Sequence, residues 1–463
     1  MKAFLNHKSI QVSAILLLAC AYVIIGYFTE RHNFIQLFGL YTLAFICSVY
    51  LFKSKLSLRF LIGVAFGLKL IVLFTIPNLS QDFYRFIWDG MLTANAHNPY
   101  LHKPVNIIDE TFVEKFEISK ILFENMGDLS ANNYSNYPPF AQLIYALSWQ
   151  IAGENILLNA ITLRLFNIFA EVIILIYGLK ILKTINLPKR HILIFILNPL
   201  VIIESTINLH FEVVMIAFLM VAIYKLSQTK LTSAATFWAF SVVSKLMTLM
   251  FLPLLWSFFR HLKSKIKPTF KTDLSFYILL SIFIIASYML FFDEEFLDHY
   301  QNSLGLYFNN FEFNASIYYV LRWIGFQIVG YNLIAVFGKV LAILTLIFVL
   351  WLSFRKRKIN LKTLLKHMLF ASTAYYLLST TVHPWYLLLP LSMSIFTKYK
   401  YMLLWSYLVI LSYAAYEIDT VNEKSLLITI QYIIAIVSLC LEIFSKSLKR
   451  YYYRAFSSTN NRQ

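Results

Sequence analysis

The chain has 463 residues, of which 59% are hydrophobic, 17% aromatic and only 14% charged. That composition excludes a soluble protein of this length and leaves a polytopic membrane protein. The formal charge of +17, from 40 Lys and Arg against 23 Asp and Glu, does not indicate a nucleic-acid partner, because the basic residues fall in short clusters between apolar runs and form no single basic face.

In chain order, runs long enough to cross ~30 Å of hydrocarbon cover about 10–28, 34–52, 58–77, 157–179, 191–207, 212–226, 273–292, 332–353, 363–381, 385–397, 401–416 and 425–445. They predict an all-α protein with about twelve transmembrane helices, a single membrane-embedded domain over residues 1–463. The first run follows Lys2 and Lys8 and contains Leu17-Leu18-Ala19-Cys20, which resembles a lipoprotein cleavage box. It continues to Phe28, however, and reads as an uncleaved span.

Basic clusters at Lys53/Lys55/Arg59, Lys180/Lys183/Lys189/Arg190, Arg260/Lys263/Lys265/Lys267, Arg355/Lys356/Arg357/Lys358 and Lys446/Lys449/Arg450 mark the cytoplasmic side. The acidic loops 78–138, 293–315 and 417–423 then lie outside. The first is long enough to hold structure of its own, with short helices expected around Asp82 to Ala94 and Ile107 to Asn125.

Two apolar segments break the alternation. Phe140 to Ile151 reads as an interfacial or re-entrant helix on the outer side, and 231–258 as two short helices, or two short spans, with Lys245 near the turn. Cys20, Cys47 and Cys440 lie in apolar runs, where they are expected to be buried packing residues. No metal-ligand spacing is visible, and no cofactor is expected.

Candidate chemistry concentrates just after the third run. Asp82 and Asp89, beside Tyr84, Arg85 and Trp88, put two carboxylates where a membrane helix meets water, which suggests a polar substrate handled at the bilayer surface. Asp82 could instead cap the following helix. Asp89, seven residues on and on the same helix face, could instead pair with Arg85.

Further on, His210 and Glu212 share a tight outer connection. Lys245 is costly in an apolar stretch unless it meets an anion or a polar cavity. His383 precedes Pro384, Trp385 and Tyr386 at the outer end of a span. Arg164 and Glu171, seven apart in one span, suit packing or an intramembrane pair.

Four blocks carry a family resemblance: Gln81-Asp82-Phe83-Tyr84-Arg85 with Trp88-Asp89-Gly90 and Asn98-Pro99-Tyr100; Tyr137-Pro138-Pro139-Phe140-Ala141-Gln142; Asn198-Pro199-Leu200 through Glu204 to Asn208-Leu209-His210-Phe211-Glu212; and His383-Pro384-Trp385-Tyr386. In this order the chain resembles the polyprenyl-phosphate-sugar-dependent glycosyltransferases of the GT-C fold, particularly family 87 and related bacterial mannosyltransferases. The resemblance implies an inverting transferase that moves a hexose, with mannose expected, from a polyprenyl-phosphate donor to a glycan or glycolipid acceptor at the outer face of the bacterial cell membrane. It also favours a metal-independent reaction.

It further implies that an acid in the first large outer loop is the catalytic base, a role that falls to Asp82, with Asp89 orienting the acceptor. Arg85, Lys245, His210 and His383 would meet the departing phosphate, and Tyr84, Trp88, Tyr137 and Glu212 would line the site. Two other classes compete: a lipid-linked oligosaccharide flippase, which would want an internal repeat that is not visible, and an O-antigen ligase or polymerase, which would place its essential groups in the later outer loop.

Overall fold

The computed structural model describes residues 7–263, 271–356, 358–418 and 420–459, without the side chains of 263, 271–272, 307–309 and 446–459. Lys2, Lys265, Lys267 and Arg357 lie outside the described residues. Among those described, the regular elements are all helical, and extended pairing is limited to two isolated bridges, Phe313 with Thr381 and Tyr416 with Val421. Hydrocarbon forces such a choice, since backbone donors and acceptors there must be satisfied within the chain.

Among the described residues, five helices are long and apolar enough to cross a membrane: Lys8–Phe28, Phe34–Lys53, Ile156–Thr184, Ile334–Phe354 and Ser425–Ser445. A sixth would be the pair Lys189–Ile196 and Pro199–Ile207, bent by 48°. The other expected spans are shorter or broken helices, and burial explains why they need not be lipid-length. Ile334–Phe354 buries a stripe of Gly338, Leu341, Thr345, Val349 and Leu352 and exposes most of its opposite face, whereas Glu212–Ser227, only 16 residues long, is buried almost all round. The latter is an inner helix, wrapped by Ile156–Thr184 and Leu231–Ser244.

The segment after residue 231 divides at Lys245, whose backbone is extended (φ −162°, ψ 130°) between the helix Leu231–Ser244 and the tighter 3-10 turns of Leu246–Leu254. The break falls where the sequence places it. The three cysteines, by contrast, are not uniformly buried: Cys47 is, Cys440 is half-buried and Cys20 is exposed on the outside of its helix. A thiol is apolar enough to face lipid, so an apolar run alone does not make it a core residue.

The segment 78–138 folds into the helix Asp82–Ala94, hereafter the lid helix, and four short helices: Pro104–Ile107, Thr111–Glu114, Ile118–Asn125 and Asp128–Ala131. The lid helix lies along Pro139–Ala152, which buries Ala141, Ile144, Tyr145 and Ser148 and turns Leu143, Leu147 and Ile151 outward. Gly90 sets their separation, because a Cβ there would sit 2.4 Å from the Tyr145 carbonyl oxygen. Gly90→Ala is therefore expected to cost about 1–3 kcal/mol of stability through overpacking, read as a lowered thermal midpoint in detergent.

Asn98-Pro99-Tyr100 anchors the loop to the segment from Phe291 to Tyr300. Tyr100 is ringed edge-on by Phe291, Phe296 and Tyr300 at 5.3, 5.1 and 5.6 Å, and the Asn98 amide donates to the Phe291 carbonyl at 2.7 Å. Two elements were not expected from the sequence, the helix Phe296–Asn309 within the stretch read as an acidic loop and the helix Ile317–Val329 after it. The helix Ile317–Val329 ties Tyr318, Tyr319 and Arg322 to Glu312 and Glu423 and exposes Val320, Trp323 and Ile328, the two-faced pattern of an interfacial helix.

Candidate active site

The polar centre is built on an irregular stretch of backbone. Asn198 caps the segment that starts at Pro199, accepting from the Leu200 N–H at 2.9 Å, and its amide donates to Ser406 Oγ at 3.1 Å. Residues Ile202–Ile207 then widen into a π-helix, and buried Leu209 takes a left-handed φ of +64° before the helix beginning at Glu212. Such strain in a branched side chain persists only where surrounding contacts enforce it, and it concentrates at functional sites.

Two side chains of the Ile156–Thr184 helix supply those contacts. Arg164 donates to the carbonyls of Thr206, Leu73 and Ile207 at 2.5, 2.6 and 3.4 Å, and Asn167 donates to those of Ser205 and His210 at 2.7 and 3.2 Å. Arg164 thus serves backbone and does not pair with Glu171. The partner of Glu171 is Lys69, at 2.8 Å with both side chains wholly buried, and Ser205 adds a hydroxyl donor to Glu171 at 2.8 Å.

The turn delivers His210 between two carboxylates. Its Nδ1 lies 3.9 Å from Asp82 Oδ2 and its Nε2 3.4 Å from Glu204 Oε2, while Glu204 also accepts from Asn208 and Tyr413 at 3.1 and 3.0 Å. The imidazole stacks on Trp385 at 3.6 Å, Trp385 stacks on His383 at 4.4 Å, and His383 stacks on Phe313 at 4.8 Å. This column joins three distant segments into one wall. Since Trp385 is covered on both faces, it braces the site and does not offer its rings to a sugar.

Glu212 pairs with Lys245, whose ammonium also lies 5.1 Å over the Tyr386 ring. Sequence reasoning gave Lys245 no partner; the structure supplies one from the next inner helix. Among the carboxylates of this cluster Asp82 alone reaches the mouth, with 31% of its side chain exposed against 0% for Glu204 and 2% for Glu212. It occupies the first turn of the lid helix but makes no capping hydrogen bond. The enclosure raises its carboxyl above the usual carboxylate range, against the pull of Arg31 and Lys245.

Asp82, His210, Glu212, Lys245 and His383 therefore come together, whereas Asp89, Arg85 and Trp88 do not join them. Asp89 is fully buried and accepts from Arg85 at 2.7 Å, Ser135 at 2.5 Å and Gln142 at 3.0 Å. Arg85 also donates to the carbonyls of Ser130 and Asn133, so its charge ties the lid helix to the end of the loop. Trp88 is wholly buried in the core. The helix period explains the change: these residues sit on the faces pressed against Pro139–Ala152 and the loop, which the polar spacing alone did not distinguish from a substrate face.

Tyr84 and Tyr137 remain half-buried, Tyr84 against Phe83 at 4.0 Å and Tyr137 edge-on to Phe86 at 5.1 Å. Three charged residues were missed. Glu204 lies in the Asn198 to Glu212 block but carries no expected role there, Lys69 carries the same cost in an apolar run that draws attention to Lys245, and Arg31 is a cation in a short turn for which the charge pattern alone predicts no positive residue. Among the described residues no three His, Cys, Asp or Glu side chains converge to hold a metal ion.

Residues 8–260, more than half of the chain, match the family model of the alpha-(1->6)-mannopyranosyltransferase N-terminal domain, MptA_B family. The chain belongs to this family. This member is accordingly a mannosyltransferase, an enzyme that uses a sugar donor and a glycan acceptor. The match includes Asp82, His210, Glu212 and Lys245 and ends before the His383 column. No curated protein and no solved structure matches the chain.

Proposed function

We propose that this mannosyltransferase has the GT-C fold and moves mannose, with inversion, from a polyprenyl phosphate to a hydroxyl of a glycan or glycolipid on the extracytoplasmic face of a bacterial cell membrane. The observation that carries the reading is the single accessible carboxylate, Asp82, at the mouth of a buried polar cluster. The basic clusters support the outer placement, because the loop holding Asp82 carries the acidic balance.

A sugar hydroxyl is a weak nucleophile. Asp82 accepts its proton as the oxygen forms a bond to the anomeric carbon, and the bond from that carbon to the phosphate oxygen breaks on the opposite side, its electron pair leaving with the lipid phosphate. His210, held by Trp385 and Glu204, fixes the approach to Asp82. An alpha product formed with inversion requires a β-linked donor. The family assignment favours transfer over a flippase.

The test supplies membranes containing the protein with radiolabelled polyprenyl-phosphate mannose, and in parallel with GDP-mannose. Label is expected to reach the glycan fraction from the lipid-linked sugar only. Transfer from the nucleotide sugar alone would overturn the donor assignment.

A further inference from the structure

We propose that Arg31, in the turn between the helices Lys8–Phe28 and Phe34–Lys53, is the cation that receives the donor phosphate. This rests on the polyprenyl-phosphate reading above and names the residue on which the leaving group lands. Two cations pull on the Asp82 carboxyl, Arg31 and Lys245; Arg31 reaches the site at the end of the aromatic column, over Tyr416, which stacks on Phe313 at 5.7 Å, and the two differ in one respect. Lys245 is already neutralised by the Glu212 carboxylate. Arg31 makes no ion pair with any carboxylate of the described residues, and even its neighbour Glu30 pairs with His32 instead, at 3.3 Å.

What holds Arg31 is an aromatic face. Its guanidinium carbon lies 3.4 Å from the centre of the Tyr416 ring. Stacking fixes the plane of the group and leaves donors at its edge, the presentation that suits a phosphate fork. The Arg31 Nε is buried and has no hydrogen-bond partner. A cation with an unspent donor beside a carboxylate mouth is expensive to maintain unless an anion completes it.

The chemistry fits this placement. As the bond from the anomeric carbon to the phosphate oxygen breaks, a phosphodiester carrying one negative charge becomes a monoester carrying about two at neutral pH. Arg31 meets the charge that develops, while Asp82 takes the acceptor proton, so the two groups act on opposite sides of the sugar.

The experiment measures, on the full-length protein in nanodiscs, kcat and KM for polyprenyl-phosphate mannose and the inhibition constant of the product polyprenyl phosphate. Loss of a hydrogen-bonded charge contact corresponds to about 10- to 100-fold. Arg31→Gln is expected to weaken product inhibition by that factor and to lower kcat, and Arg31→Lys to recover part of both. A folded Arg31→Gln protein with wild-type product inhibition overturns the proposal.

A measurement on the unaltered chain decides the matter if Arg31→Gln does not fold. Saturating polyprenyl phosphate should shield Arg31 from phenylglyoxal, read by peptide mass spectrometry, and undiminished modification overturns the proposal. If the wild-type protein neither uses the lipid-linked donor nor is inhibited by polyprenyl phosphate, the donor reading itself has failed. If it does both and Arg31→Gln behaves the same, only Arg31 has.

Discussion

Asp82→Asn is expected to lower mannosyl transfer by about 10²- to 10⁴-fold with the fold intact. The amide keeps the size of the carboxylate and cannot accept the acceptor proton. A capping role would have confused the result, but Asp82 makes no capping hydrogen bond, so little helix stability is at stake. The pH behaviour gives a second reading. Because burial raises the Asp82 carboxyl, the acid limb of the wild-type rate profile should lie above the ordinary carboxylate range and be lost in the variant.

The sign for stability is opposite. A carboxyl whose native pKa is raised binds its proton more tightly in the folded state, so its favourable contribution is present at low pH and is lost as pH rises through the raised value. Asp82→Asn should therefore be as stable as the wild type at neutral pH, or slightly more so, while losing activity. Asp89→Asn should do the reverse. It leaves Arg85 buried without its counter-ion, which lowers the thermal midpoint and loosens the lid. A folded Asp82→Asn protein with near-normal turnover removes Asp82 as the base.

What the sequence makes legible here is local. The step from apolar run to polar block marks the lid helix, the isolated lysine marks the break at residue 245, and the i,i+4 spacing of Arg85 and Asp89 permits the ion pair that forms. The span count is less legible, because hydropathy measures transfer from water and does not separate lipid from protein interior. Glu212–Ser227 is apolar on every side because it is buried in helices, at a length that need not match the bilayer.

The site's long-range partners are the least legible part. His210 is stacked on Trp385, Arg31 lies over Tyr416, and Phe313 pairs with Thr381, each between segments far apart in sequence. Nothing local at either end of these contacts names the other. A family resemblance can bring such blocks onto one page in order, but only the packing assigns Asp89 to holding the lid and Asp82 to the mouth.

Lys69→Met is expected to destabilise the protein by about 3–5 kcal/mol, among the largest losses available to a single substitution away from the mouth. Lys69 and Glu171 are both wholly buried, 2.8 Å apart, on the helices Leu58–Ile71 and Ile156–Thr184. Removing the ammonium leaves Glu171 with only the Ser205 hydroxyl as a donor, and a buried carboxylate cannot be satisfied by one hydroxyl. Ser205 lies in the π-helical turn that delivers His210, so the damage should reach activity as well as stability. The double variant Lys69→Met/Glu171→Leu separates the two possible origins of that loss. If the cost is an unpaired charge, removing both partners should restore most of the thermal midpoint, since a buried pair replaced by apolar groups of similar volume is often neutral or stabilising. A double variant as unstable as Lys69→Met would mean that packing around Lys69, and not its charge, holds the third helix to the bundle.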